Sequence, residues 1–314
     1  MKERKVCGRW GMIMGCGCKS NNGKQTEKYQ KHRDDIIQIQ KIKDIKPKIF
    51  VARGGFRIMD DILIIRETKY KENKVIHLFN KNTFKHIKST GIIGKGPGEI
   101  VRNGSIGVDR KNKILWVTDH GKRMLWKFPL DSVFNNENYK PSQKLQLHRE
   151  LFIKEFGLLN DSIALGAGID VITYNSFKMT TLKLNLHTNK SKKFGYTHPQ
   201  TVGKHRSKTY FSFALSLQNN IYVKAHSYCD LITICNLDGS LKYNVYGPGW
   251  QNNKDNQTEY FTGVDVTKKH IIASYIGWPR IIIDEHKTKR GNYRRKLIVF
   301  DTEANYIKAM ETGH

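Results

Sequence analysis

The stretch Asp109-Arg-Lys-Asn-Lys113, Ile114-Leu-Trp-Val117 and, after a short gap, Met124-Leu-Trp-Lys-Phe128 is a polar turn followed by two short apolar runs. Runs of this length, bounded by turn residues, read as strands rather than helices. The same order recurs outward from it. Asp60-Asp61 precedes Ile62-Leu-Ile-Ile65, and Asn160-Asp161-Ser162 precedes Ile163-Ala-Leu165. Gln218-Asn-Asn220 precedes Ile221-Tyr-Val223, and Thr267-Lys-Lys-His270 precedes Ile271-Ile-Ala273. The marker isoleucines Ile62, Ile114, Ile163, Ile221 and Ile271 are 52, 49, 58 and 50 residues apart. A period near 50 built from short β segments marks a propeller blade.

Third strands follow in phase: Val75-Ile-His-Leu-Phe79, Met124–Phe128, Leu182-Lys-Leu-Asn-Leu186, Leu231-Ile-Thr-Ile-Cys235 and Leu297-Ile-Val-Phe300. Leu182, Leu184 and Leu186 alternate with Lys183 and Asn185, the period of a half-buried strand. Outer fourth strands fit Lys85-His-Ile-Lys88, Leu241-Lys-Tyr-Asn-Val245 and Tyr306-Ile-Lys-Ala309. The expected fold is an all-β propeller of four-stranded blades. Five full units are visible. Ile36-Ile-Gln-Ile39 forms a lone strand ahead of them. A strand from one terminus that completes the blade made by the other removes exposed sheet edges. That reading gives a six-bladed plan with five full units visible, in which either the last blade is truncated or the ring closes with five blades.

The segment Gly91-Ile-Ile-Gly94-Lys-Gly96-Pro97-Gly98-Glu99-Ile100 resembles the glycine-rich blade connector of the bacterial TolB-like six-bladed β-propellers. Asp109…Trp116-Val-Thr-Asp119 and Ala273-Ser-Tyr275-Ile-Gly277 followed by Leu297–Asp301 resemble further blades of that family. The resemblance implies a propeller over residues 34–314 and a lipoprotein. Gly94, Gly96, Pro97, Gly98 and Glu99 are the candidate connector motif. Glycine supplies backbone angles other residues avoid, and proline fixes one more. The segment lacks the Gly-Lys-Ser/Thr ending of a phosphate loop.

The N-terminus reads as a leader over residues 1–33. Met1-Lys-Glu-Arg-Lys5 is a positive region, Val6–Gly15 an apolar one, and Ile13-Met-Gly-Cys16 a loose lipid-attachment pattern. Lys19-Ser-Asn-Asn-Gly-Lys24 would be a flexible tether. Cys16 is therefore the candidate lipidation site. The cell envelope is the expected location, with membrane contact through the lipid anchor. No stretch approaches the ~20 apolar residues of a membrane helix. Five cysteines in 314 residues are too few for a disulfide framework.

The formal net charge is +27, which attracts polyanions and says nothing about fold. Residues 1–49 hold 13 basic and 5 acidic side chains, and the remaining excess is dispersed. Dispersal reads as a solvated surface and argues against nucleic acid. One local cluster stands out. Ile271 and Leu297 are 26 positions apart where Ile221 and Leu231 are 10, and the added length ends in a basic run. Lys287, Lys289, Arg290, Arg294, Arg295 and Lys296 form a candidate anion-binding loop.

The sequence holds no nucleophile elbow and no zinc-binding spacing. Asp60, Asp109, Asp161 and Asp265 lie at first-to-second strand turns, where they accept backbone N–H bonds. His198 and His205 read as parts of a solvated basic loop. No catalytic residue, metal ligand or cofactor is expected. The leading function is a non-catalytic binding or scaffold propeller that presents a loop-lined face to a protein or glycan. The alternatives are a propeller hydrolase or lactonase with a metal in its channel, and a basic polyanion-binding protein.

Overall fold

The computed structural model describes residues 26–33, 35–39, 45, 49, 54–69, 72–202, 206–250, 258–279, 281–283, 285, 287–291 and 296–312. Two strands come first, β1 (Glu27–Tyr29) and β2 (Ile36–Ile39). Blade 1 is β3 (Gly54–Met59), β4 (Ile62–Glu67), β5 (Lys74–Asn80) and β6 (His86–Ile92). Blade 2 is β7 (Asn103–Asp109), β8 (Ile114–Asp119), β9 (Met124–Pro129) and β10 (Lys144–Gln146), with the short helix α1 (Leu130–Asn135) before β10. Blade 3 is β11 (Leu151–Leu158), β12 (Ile163–Thr173), β13 (Ser176–Asn185) and β14 (Ser191–Lys193). Blade 4 is β15 (Phe211–Ser216), β16 (Ile221–His226), β17 (Leu231–Asn236) and β18 (Leu241–Tyr246). Blade 5 begins with β19 (Thr258–Val266) and β20 (His270–Pro279). A hairpin, β21 (Ile281–Ile283) and β22 (Lys289–Gly291), is inserted before β23 (Lys296–Asp301) and β24 (Tyr306–Thr312).

Within each blade the four strands pair antiparallel in chain order. The marker isoleucines all fall at or beside the start of second strands, and side-chain oxygens of Asp109, Asn160, Ser216 and Thr267 close the turns before four of them. Asn160 Oδ1, for example, accepts the N–H groups of Ser162 and Ile163 at 2.9 Å each. The first strands β7 and β11, and β15 and β19, pack on one another, so first strands are innermost. Apolar faces close between blades. Ile64, Ile76 and Leu78 of blade 1 pack with Leu115, Val117 and Phe128 of blade 2. Further clusters join blades 2 and 3, blades 3 and 4, and blades 4 and 5. Among the described residues no such cluster joins blade 5 to blade 1.

The blade count corrects the six-bladed expectation: the structure has five blades. The lone strand Ile36–Ile39 does not belong to a sixth. It pairs parallel with β24 and becomes a fifth strand on the outer edge of blade 5, Ile36 opposite Ala309. β1 does the same on blade 4, Glu27 opposite Asn244. The physical reason is shared. An outer strand offers unpaired backbone groups, and an added strand satisfies them. Glu27–Tyr29 and Arg33 fall in the segment read from sequence as leader, yet they sit on the propeller. Cys16 lies outside the described residues. No helix among the described residues is long and apolar enough to cross a membrane.

Candidate functional site

A cleft of about 500 Å³ opens between blades 2 and 3, at the end of the blades that carries the first-to-second strand turns. Its apolar wall is Ile114 and Trp116 from β8, Leu145 from β10 and Leu186 beyond β13. The alternation of β8 produces this wall. Leu115 and Val117 point into the core with blade 1, which leaves Ile114 and Trp116 on the opposite face. Polar groups line the rest, among them Asp109, Asn112, Asp161 and His187. The Trp116 indole N–H is buried and has no hydrogen-bond partner. A cleft of this size with an aromatic wall and a few polar groups is the usual form of a ligand site.

The polar groups in and beside the cleft bond to one another. Ser162 Oγ donates to Asp161 Oδ1 at 2.9 Å, and His187 Nε2 lies 3.0 Å from the same Oγ. The serine proton is therefore held by the carboxylate, and the imidazole must donate. A nucleophile–base pair needs the reverse, with the imidazole accepting that proton. Asp109 is occupied as well, since its two oxygens accept Asn112 N–H at 3.0 Å and Asn112 Nδ2 at 2.8 Å. Among the described residues, no three His, Cys, Asp or Glu side chains converge as metal ligands.

The connector residues fall where blade 1 passes to blade 2. Gly94 N–H bonds Ile100 carbonyl at 3.0 Å and Ile100 N–H bonds Ile92 carbonyl at 2.8 Å. Glu99 closes the loop from within, accepting Gly96 N–H and Lys140 Nζ at 2.8 Å each. The Lys140 bond, then the Gly96 N–H, hold its carboxyl below the usual range. Lys122 Nζ adds bonds to the carbonyls of Gly96 and Glu99, both 2.7 Å. A Cβ on Gly94 would meet Glu99 Oε2 at 2.0 Å, and Gly98 has φ +68°. All five motif residues thus lie in one loop whose polar groups face each other rather than a ligand.

The basic run is divided. Lys287 precedes the second strand of the exposed hairpin, and Lys289 and Arg290 lie within that strand. Lys296 opens β23 and approaches Glu311 at 3.8 Å. Arg294 and Arg295 lie outside the described residues. His198 departs from the solvated reading: it is buried, with Nε2 3.0 Å from Tyr246 Oη and its ring against Trp250. His205 lies outside the described residues.

Sequence reasoning passed over two buried titratable groups on β16. Lys224 and His226 share one face of that strand and line a cavity of about 20 Å³ against Thr181 and Phe211 of the neighbouring elements. Lys224 Nζ donates to the Tyr196 carbonyl at 2.5 Å. His226 Nε2 lies 3.2 Å from Thr233 Oγ1, which donates onward to Asn244 Oδ1 at 3.0 Å. Thr233 can then only accept from His226, so Nε2 carries the ring proton. Burial, then the charge of Lys224, push the His226 imidazole well below its ordinary range. The signal was present: a Lys and a His two apart in an otherwise apolar strand.

No protein-family model and no curated protein matches the chain. Solved structures do. A member of the DUF4221 family from Bacteroides vulgatus superposes with a TM-score of 0.57 at 9% identity, covering 83% of this chain and 81% of its own. A Bacteroides fragilis protein classed as exported gives 0.49 at 13% identity, covering 91% and 79%. The β-propeller domain of Cps50 (Swd1) from Myceliophteria thermophila gives 0.44 at 7% identity, covering 86% and 88%. At these identities the DUF4221 likeness is one of fold.

Proposed function

We propose that this chain is a non-catalytic binding propeller of the cell envelope, anchored through Cys16, that holds a glycan in the cleft between blades 2 and 3. The observation that carries the reading is Trp116. Its indole walls the cleft, and its buried N–H has no acceptor within the protein. A sugar ring suits the site, since one face stacks on the indole while hydroxyls meet the Asp, Asn, Gln and His side chains around it. The serine proton bonded to Asp161 rather than to His187 supports binding without turnover.

The test is calorimetry on a panel of neutral and acidic oligosaccharides, with Trp116→Phe and Trp116→Ala beside the wild type. Trp116→Phe keeps an aromatic wall of smaller area, so affinity should fall only severalfold. Trp116→Ala should abolish binding. Affinity unchanged in both variants would remove the cleft as the site. Lipid labelling in the host, with Cys16→Ala as control, tests the anchor separately.

A further inference from the structure

The opposite end of the blades, where the connectors run, gathers basic side chains around the inner strands of blades 1, 2 and 3. Arg66 is the next-to-last residue of β4, Arg102 immediately precedes β7, His120 follows β8, and Lys154 lies on β11. Two glycines of the innermost strands make room for two of them. A Cβ at Gly55 would lie 3.1 Å from Arg66 Nη2, and one at Gly104 would strike His120 Nε2 at 2.3 Å. Arg66 and His120 therefore lie directly over the inner strands. Two bulges meet at the same level. The register of β7 slips between Asn103 and Ile106, and that of β11 slips between Ile153 and Glu155, which makes Lys154 the extra residue. Ser105 Oγ donates to the Lys154 carbonyl at 2.8 Å and ties the two bulges together. Bulges bend a strand and re-aim its side chains, and they recur beside functional sites.

The acids next to His120 and Lys154 along the chain, Asp119 and Glu155, are already engaged. Asp119 accepts the N–H groups of Val101, Arg102, Gly121 and Lys122 at 2.9–3.2 Å. Glu155 faces Arg57 of blade 1 at 3.6 Å, and Glu67 is buried against His77 at 3.5 Å. Arg102 and Lys154 are exposed. Like charges held together repel, and a counter-ion between them reverses the sign of the interaction.

We propose that Arg102, Lys154 and His120 form a second binding site, distinct from the Trp116 cleft, for a compact multiply charged oxyanion: a phosphate or sulfate group. A guanidinium fork and an ammonium match the oxygens of a tetrahedral anion, each through charge-assisted hydrogen bonds. Burial, followed by the charges of Arg102, Lys154 and Arg66, brings the His120 imidazole down to about 4, so the ring is neutral at neutral pH and can donate one N–H. The same oxyanion could arrive free or as a phosphoryl group on a larger ligand.

The experiment titrates the full chain with inorganic phosphate at constant ionic strength, by calorimetry and by the histidine ring resonances. Saturable binding that shifts His120 is expected, and Lys154→Gln and Arg102→Gln should each weaken it about tenfold. Both side chains are exposed, so these variants test binding apart from folding. A sugar phosphate run in parallel separates the sources: tighter binding than free phosphate assigns a phosphoryl-bearing ligand, and equal binding assigns the free anion. Absence of saturable binding of either probe, or affinities untouched by both substitutions, would overturn the site.

Discussion

Arg33 Nη1 lies 2.8 Å from Asp230 Oδ1, with both side chains buried, so an ion pair fastens the N-terminal segment to a loop 197 residues away. The guanidinium also lies 4.5 Å from the centre of the Tyr275 ring. The far carboxylate oxygen accepts Gly249 N–H at 2.9 Å. Arg33 thus binds blade 4 to blade 5 on the side where β1 and β2 add their extra strands.

Removing one partner of a buried pair leaves the other charged and unpaired, which costs about 3–5 kcal/mol. Arg33→Ala should lower the free energy of unfolding by that amount in a urea titration. Arg33→Met with Asp230→Asn removes both charges and should restore part of the loss. A loss below about 1 kcal/mol for Arg33→Ala, the size of an exposed pair, would show that the contact is solvated.

The connector yields a sharper contrast between glycines. A Cβ at Gly98 would sit 2.8 Å from both Lys140 Cβ and the Pro141 carbonyl, at a φ of +68°. At Gly263 the nearest atom is 3.8 Å away and φ is ordinary. Gly98→Ala should therefore cost about 1–3 kcal/mol through backbone strain and crowding. Gly263→Ala should be neutral or slightly stabilising, since alanine restricts the unfolded chain. Equal midpoints in chemical denaturation for the two variants would contradict the geometry.

The second and third strands were legible because short apolar runs follow polar turn residues at a period near 50. Ile114, Ile163 and Ile221 mark the first residues of their strands. What was not legible depends on contacts between distant segments. Glu27-Lys-Tyr29 carries no strand pattern; it pairs through its backbone and through Tyr29 stacked on Tyr246 at 4.7 Å. The cleft assembles Asp109 and Trp116 with Leu186 and His187, residues contributed by two blades. Arg102, His120 and Lys154 are dispersed along the chain, and the bulges of β7 and β11 and the space at Gly104 set their places. The blade count failed for the same reason: Ile36–Ile39 reads as a strand, but its partner is set by which edge stands open.

Buried histidines set the acid side of the stability profile. His226 is 2% exposed, and its folded value lies well below the ordinary 6.5. Between those values the unfolded chain binds the proton and the folded one does not. Its contribution is present in full above about pH 6.5 and is lost as the pH falls toward the folded value. The slope is about 1.4 kcal/mol per pH unit for one such group. His77, His120 and His198 are shifted in the same direction, chiefly by burial, and add to the effect. Unfolding free energy should fall as pH drops below 6.5, and His226→Gln should make that fall shallower by roughly one group's slope. Identical slopes in denaturant series from pH 7 to 4.5 would show that His226 titrates normally.

The placement of β2 on blade 5 makes a covalent prediction. Gln38 stands opposite Glu311 in the parallel pair, with Gln38 Nε2 3.2 Å from Glu311 Oε2. Neighbouring strands lie about 4.8 Å apart, within the Cα separation a disulfide accepts. Cysteines at positions 38 and 311 should therefore oxidise to a bond that closes a loop of nearly the whole chain. Such a bond should raise the unfolding free energy by roughly 2–4 kcal/mol, because it restricts the unfolded state most when the loop is long. Cysteines at 36 and 311 stand out of register and serve as the control. Peptide mapping after mild oxidation should find the 38–311 link and little of the other. If 38 and 311 stay reduced in folded protein, β2 is not the outer strand of blade 5.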